Sequence, residues 1–220
     1  MKSALVIGAS GLVGRQLVFE LIKHPAYSRI KALSRKDLVI EAPKLEQHLI
    51  DFSQLESYSN LFDVDELYIA IGTTRSKTPD LETYRKIDQE IPMRSARLAY
   101  EKGCKQVFFV SSMGADRNSS IFYSKLKGET EQMLSEIGFP ACHLIRPSLL
   151  MGQRNEFRPL EAFSQLLMKG LNLVMIGPLR AYKGIQGFEV ARAMVKIAQQ
   201  NLSGNRVWLN NELLDQLEKK

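Results

Sequence analysis

Cysteine is scarce in this chain: only Cys104 and Cys142 occur among 220 residues. Two thiols cannot build a disulfide framework, which excludes small secreted scaffolds and predicts a reducing compartment, the cytoplasm. Histidine is nearly as rare. His24, His48 and His143 have no metal-ligand spacing, so no metal is expected. Long apolar runs are missing too, and nothing approaches the ~18 residues of a spanning helix. After Ala4-Leu5-Val6-Ile7, three glycines and Arg15 interrupt what would otherwise resemble a signal-peptide core. Neither charge sign dominates, since 30 Lys and Arg against 24 Asp and Glu leave +6. That excess favours anionic small ligands, but the basic residues are dispersed with no aromatic stacking series, so neither nucleic acid nor a membrane is an expected partner. Internal repeats, low-complexity tracts and composition breaks are also absent.

What is present is a soluble-protein composition, 45% apolar and 25% charged, long enough for a real core. Short apolar runs alternate with helical periodicity. Ala4–Ile7 reads as a strand buried on both faces, followed from Leu12 by Leu12, Val13, Leu17, Leu21 and Ile22 at helical spacing until His24-Pro25. Further strands are expected at Arg29–Leu33, Glu46–Ile50, Leu67–Ile71, Val107–Val110, Cys142–Ile145 and Arg206–Leu209. Helices are expected at about Asp80–Lys102 with a kink at Pro92, Phe122–Ile137, Pro159–Met168, Phe188–Gln200 and Asn211–Lys220. The alternation predicts an α/β protein with a Rossmann-like, doubly wound parallel sheet. Residues 1–220 read as a single domain, with a core over 1–150 and a small C-terminal lobe over 151–220.

Gly8-Ala9-Ser10-Gly11-Leu12-Val13-Gly14 joins the first strand to the first helix. A pyrophosphate must approach the backbone closely there, and the helix N-terminus offers it free amides and a positive dipole end. A glycine triplet alone is a weak signal; the strand before it and the amphipathic helix after it make it a dinucleotide-binding turn. The second strand then ends in Ser34-Arg35-Lys36, with no acid until Asp37 where a carboxylate would hold the ribose hydroxyls of NAD. Arg35, Lys36 and Arg15 instead suit a 2′-phosphate, so NADP(H) is favoured over NAD(H). Asp51-Phe52 either touches the adenine or begins a helix with Asp51 as its cap. Gly72-Thr73-Thr74 ends the fourth strand, where open sheets bind ligands, and also suits an ordinary turn.

The fifth strand ends in Ser111-Ser112, and eleven positions beyond Ser112 comes Tyr123-Ser124-Lys125-Leu126-Lys127. Tyr123 and Lys127, four apart on a helix, share a face. The Lys127 ammonium there stabilises a phenolate, drawing the Tyr123 pKa down from its usual ~10. Tyr123 could then exchange a proton with a carbonyl or alcohol oxygen as hydride moves, and Ser112 would orient that oxygen. Without the glycine turn, such a pair would be a solvated helix face. Glu129 and Glu131 read as exposed charge, and Glu189 as charge complementing a helix dipole. Met151, Phe157, Phe163, Leu166, Leu167 and Met168 read as core residues or as the lining of an apolar pocket.

The glycine turn, the paired serines, the Tyr-x-x-x-Lys helix and Arg146-Pro147-Ser148 together resemble a short-chain dehydrogenase/reductase, and the GxxGxxG spacing resembles its extended and atypical branches. More narrowly, Gly72-Thr73-Thr74-Arg75, Ile87-Asp88, Ser111-Ser112-Met113-Gly114-Ala115 and Tyr123 to Glu129 resemble the Tat-interacting oxidoreductase-like group, an NADP(H)-binding branch close to the NmrA-like proteins. The resemblance runs from Leu5 to about Met151 and is loose beyond. It implies a Rossmann fold, NADP(H) in the crevice, Tyr123, Lys127 and Ser112 in the catalytic places, and the Pro147-Ser148 loop beside the nicotinamide. Asp88 departs from the wider superfamily, which often carries an active-site asparagine there. The expected function is an NADP(H)-dependent oxidoreductase acting on a small apolar carbonyl or alcohol, as a monomer or homodimer. The rival is a non-catalytic NADP(H)-responsive regulator or assembly factor.

Overall fold

The computed structural model describes residues 1–151 and 177–218. In chain order they form β1 (Lys2–Ile7), α1 (Leu12–Lys23), β2 (Tyr27–Ser34), β3 (Leu45–Leu49), a 3-10 stretch (Phe52–Phe62) and β4 (Glu66–Ile69). Next come α2 (Leu81–Arg85), a π turn (Lys86–Glu90), α3 (Ile91–Glu101), β5 (Gln106–Val110), α4 (Phe122–Ser135), β6 (Ala141–Arg146) and β7 (Leu150–Met151). A 3-10 turn (Gly177–Tyr182), β8 (Ile185–Gln186), α5 (Gly187–Ala198), β9 (Gly204–Leu209) and α6 (Asn210–Glu218) complete the described chain.

Seven strands make one sheet in the order β3-β2-β1-β4-β5-β6-β9, every pair parallel, and β7 pairs with β8 beside it. Alternation along β1 builds the two cores. Ala4 and Val6 face a layer containing Val13, Leu17 and Leu21 of α1, Val190, Met194 and Ile197 of α5, and Leu213 of α6. Leu5 and Ile7 face the opposite layer, with Leu55 and Phe62 of the 3-10 stretch, Met93 and Ala96 of α3, and Leu134 of α4. Because the chain moves outward from β1 to β3 and returns on the other side as β4, the strand order reverses between β1 and β4. A crevice at the carboxyl ends of these strands is where such sheets take ligands.

The glycine turn sits at that reversal. Gly8 has φ +82°, and a Cβ on it would lie 2.7 Å from the Ile71 nitrogen, so only glycine lets β1 turn against the chain leaving β4. A Cβ on Gly14 would lie 2.2 Å from the Gly8 carbonyl oxygen. The first turn of α1 therefore closes directly onto the end of β1.

Most elements fall where periodicity predicts them. The expected long helix over 80–102 is instead divided into α2, the π turn and α3. Pro92 has no N–H for the Asp88 carbonyl, and the widened turn just before it absorbs that defect. The 3-10 stretch has the Asp51 cap for its start but no helical periodicity: its two short turns merge across non-helical backbone at Gln54 and Tyr58, and only Phe52, Leu55 and Phe62 within it are buried. The helix expected near Pro159 to Met168, with Phe157, Phe163, Leu166, Leu167 and Met168, lies outside the described residues; Met151 is buried.

His143 is fully buried on β6, stacked on Phe108 with 4.4 Å between ring centroids. Its Nδ1 accepts the Trp208 indole N–H at 3.2 Å. Burial, with Arg206 nearby, pushes its pKa down to about 4, so it folds as the neutral base. The unfolded chain takes up this proton near the ordinary value of ~6.5, so the stability linked to His143 is intact above pH 6.5 and is lost as pH falls toward 4. Replacing His143 by Gln, which keeps an acceptor for Trp208, should therefore gain about 3 kcal/mol relative to the parent between pH 7 and 4. Parallel stability curves in urea titrations across that range would contradict this. Gly14→Ala tests the turn: despite alanine's better helix propensity it should cost about 2 kcal/mol of stability, visible as a lowered thermal midpoint. An unchanged midpoint would mean that α1 can move off β1 freely.

Candidate active site

The first turn of α1 is built to receive an anion. Gly11 occupies the N-cap without a side-chain hydrogen bond, and no acidic residue lies in the first turn. Gly11 N–H closes onto the Gly8 carbonyl at 2.9 Å, while the amides of Leu12, Val13 and Gly14 begin the helix without intrahelical acceptors. Ser10 is exposed beside them.

The loop after β2 is held from two sides. Gln47 of β3 accepts from the Leu38 N–H at 3.1 Å and donates to the Ile40 carbonyl at 2.6 Å. Arg15 Nη1 donates to the Leu38 carbonyl at 2.7 Å, and its guanidinium lies over the Phe19 ring. Arg35 and Lys36 project exposed from this anchored loop, and the Arg35 guanidinium has no partner among the described residues. Asp51 caps the 3-10 stretch, both carboxylate oxygens bonded to Ser53. The Phe52 side chain is buried in the core, so only its backbone is left for a ligand.

Beyond β4, Gly72, Thr73 and Thr74 form a bonded turn. Thr73 N–H donates to Asp88 Oδ2 at 2.8 Å, the Thr73 and Thr78 hydroxyls share a 2.8 Å hydrogen bond, and Thr74 pairs with Ser76. Tyr84 donates its hydroxyl to the Thr73 carbonyl at 3.1 Å. Burial, then the Asp88 carboxylate, push the Tyr84 phenol well above its ordinary pKa, which keeps it a protonated donor. Tyr84 had no sequence signal of its own. It lies edge-on to both Phe122 and Tyr123, with centroids 5.7 and 6.4 Å away.

At the end of β5, Ser111 and Ser112 both carry buried hydroxyls without a hydrogen-bond partner. An orphaned hydroxyl is costly when buried, and two in succession at the carboxyl end of β5 suit a ligand that is hydrogen-bonded there. Tyr123 and Lys127 enter on α4 but diverge. Tyr123 is 39% exposed at the mouth, whereas Lys127 is buried at 3%. Lys127 Nζ pairs with Asp88 Oδ1 at 3.1 Å, approaches the Val110 carbonyl at 3.5 Å and lies 4.7 Å over the Phe109 ring. Asp88 is itself 1% exposed.

Beyond β6, Pro147 accepts from the Met113 N–H at 3.0 Å, which fixes the loop against the end of β5. The Ser148 hydroxyl is bonded to the Lys183 carbonyl and its N–H to Asn210 at 3.1 Å, so this serine latches the loop to β8 and α6. Arg146 forms a two-pronged pair with Glu131, at 3.0 and 2.5 Å. Glu131, read as solvated charge, is thus buried, and the signal for it is its i+4 spacing from Lys127 on the inward face. Glu189 completes a capping box with Gln186 instead of acting only through the dipole. Cys104 and Cys142 are buried, and their thiols are pushed up to about 12. Among the described residues, no group of three or more His, Cys, Asp or Glu could hold a metal ion, and no helix is long and apolar enough to cross a membrane.

These donors fit a dinucleotide: a backbone cradle that a Cβ would fill and free helix-start amides lie at the sheet's reversal, and two orphaned hydroxyls lie at the carboxyl end of β5, beyond β4. The chain matches the NAD dependent epimerase/dehydratase family over residues 4–208. "Protein HTATIP2" of Rattus norvegicus is 33% identical over 162 residues, covering 72% of this chain and 66% of that one. "Protein fmp52, mitochondrial" of Emericella nidulans is 34% identical over 181 residues, covering 79% and 78%, and "Protein FMP52, mitochondrial" of Candida albicans is 32% identical over 210 residues, covering 92% and 90%. Among solved structures, "MoeE5 in complex with UDP-glucose and NAD" superposes with a TM-score of 0.70 at 17% identity over 98% of this chain and 81% of that one, a likeness of fold. The resemblance to the Tat-interacting group is borne out by the rat relative. The expected cytoplasmic location is overturned by the relatives named as mitochondrial: two buried thiols report a reducing interior, which does not single out the cytoplasm. A parallel sheet wound both ways from a glycine turn, with the match spanning nearly every described element, makes this chain a member of the NAD dependent epimerase/dehydratase family.

Proposed function

We propose that this protein is an NADP(H)-binding oxidoreductase that reduces a carbonyl, or oxidises the corresponding alcohol, of a small apolar substrate. The observation that carries this reading is the pair of buried, orphaned hydroxyls on Ser111 and Ser112 at the carboxyl end of β5, the end of the sheet that also carries the glycine turn after β1. The glycine-turn amides would hold the pyrophosphate, and Arg35, Lys36 and Arg15 the 2′-phosphate, with Thr73, Thr74, Pro147 and the backbone at Asp51-Phe52 lining the remainder. When bound, the coenzyme supplies hydride to the carbonyl carbon or accepts it from the alcohol.

The remaining work falls to side chains of this chain. Ser112 donates a hydrogen bond to the substrate oxygen and orients it. Tyr123 gives its hydroxyl proton to that oxygen as the carbon gains hydride, and recovers a proton from solvent through its exposed edge. Lys127, one turn further along α4, holds a buried ammonium paired with Asp88. Met113, Ile121 and Leu149 are exposed apolar side chains adjoining Ser112, Tyr123 and the Pro147-Ser148 loop, and they support an apolar substrate. The names of the family and of the neighbouring structures mention NAD. The phosphate preference rests on this chain's own loop, where Arg35 has no partner among the described residues and Asp37, the first carboxylate after it, accepts from the Val39 N–H at 2.8 Å.

One observation favours the regulator reading. Asp88 balances the Lys127 charge, which weakens the field that would support a phenolate and leaves coenzyme binding intact. Turnover separates the two. Tyr123→Phe should lower NADPH oxidation about 100-fold or more while NADPH affinity stays within about threefold, by calorimetry. If the parent protein oxidises NADPH with no member of a broad aldehyde, ketone and quinone panel, the oxidoreductase reading falls and the regulator stands. Arg35→Ala should weaken NADPH on the order of tenfold and NADH hardly at all; equal losses in paired titrations would remove the 2′-phosphate assignment.

A further inference from the structure

Asp88 is a buried carboxylate that the proposed chemistry does not use. It lies in the π turn before Pro92, held by the Thr73 N–H at 2.8 Å and the Lys127 ammonium at 3.1 Å. A Cβ at Gly72 would come within 3.2 Å of Asp88 Oδ1 and 4.0 Å of Lys127 Nζ. The crevice-lining glycine therefore covers the ion pair with backbone alone. The other groups around it are accounted for. On α2, Tyr84 is held neutral, and Arg85 turns outward to Gln89 and Glu129. From the loop after β4, the exposed Arg75 acts on Tyr84. From β5 come the Phe109 ring and the Val110 carbonyl. The charge beneath this end of the crevice is thus one ammonium against one carboxylate.

A nicotinamide ring carries a positive charge when oxidised and none when reduced. Buried charges facing it therefore discriminate between the two states, in a medium where water screens them weakly. A lone Lys127 ammonium would repel the oxidised ring. We infer that Asp88 is a specificity-determining residue for the coenzyme's oxidation state: by cancelling Lys127 it lets the site accept the oxidised nicotinamide alongside the reduced one. The inference rests on the coenzyme reading above and deepens it. It gives the Asp88–Lys127 pair a role in both surviving functions, because a reversible dehydrogenase and a sensor of the NADP⁺/NADPH balance each require both forms to bind.

The test is a ratio of dissociation constants, NADP⁺ over NADPH, measured by calorimetry on the whole chain with no substrate present. Contacts common to the two coenzymes cancel in the ratio. Asp88→Asn retains an acceptor for the Thr73 N–H and removes the charge, and the ratio should rise on the order of tenfold against NADP⁺. Lys127→Met leaves the carboxylate alone and should move the ratio the opposite way, even as both affinities fall. The double variant should return the ratio to within about threefold of the parent. If Asp88→Asn does not fold with its lysine unpaired, the Lys127→Met and double variants decide the matter. A ratio indifferent to these changes, or moving in the same direction in both single variants, overturns the inference. A parent protein that binds neither coenzyme overturns the coenzyme reading itself, a separate outcome.

Discussion

The contact between Asp88 and Lys127 is the constraint on which the rest of this site depends. Burying two opposite charges is expensive, and removing either partner leaves the other uncompensated. The pair is tolerable because each remaining bonding position is met: Thr73 N–H on the carboxylate, the Val110 carbonyl and the Phe109 ring on the ammonium. Those partners come from the loop after β4, the π turn, β5 and α4. One polar contact thereby fixes four segments relative to one another at the carboxyl end of the sheet. Tyr84 extends the same frame, tying the Thr73 carbonyl to the aromatic edge against which Tyr123 rests.

The opposite wall is held by a different economy of space. Gly8 and Gly14 remove the side chains that would part α1 from β1, and the helix start is left bare of both cap and carboxylate. An anion can therefore reach the amides without displacing anything. Arg15 leans toward the β2 loop instead of back across the turn, so the glycine turn and the loop after β2 are braced against each other.

How far the sequence could be read follows from which forces act locally. β1, α1 and the glycine turn were legible because burial on both faces, helical spacing and backbone clearance each leave a short-range pattern. The same holds for β5 with its serines and for α4 with Tyr123 and Lys127. The 3-10 stretch at Phe52–Phe62 leaves no such pattern, since its three buried residues meet the core through non-helical backbone. Pairings across the fold were invisible as well. Glu131 with Arg146, Ser148 with Lys183, and Tyr84 with Thr73 join residues whose separation in sequence carries no period. Asp51 shows the intermediate case, a residue with two readings, of which the cap is the one its hydrogen bonds display.

The substitution of carboxylate for amide at position 88 also bears on how one fold can host turnover or sensing. With a neutral partner, the lysine would keep its full charge and, on the proposed reading, bias the site toward the reduced, uncharged nicotinamide. With Asp88 the Lys127 charge is matched by a carboxylate 3.1 Å away, and on the proposed reading that bias is relaxed. A site so balanced keeps the architecture of a reductase whether or not its rate is high. On the proposed reading, the chemistry is then set by what enters beside Ser112 and Tyr123, and the coenzyme preference by the loop that carries Arg35.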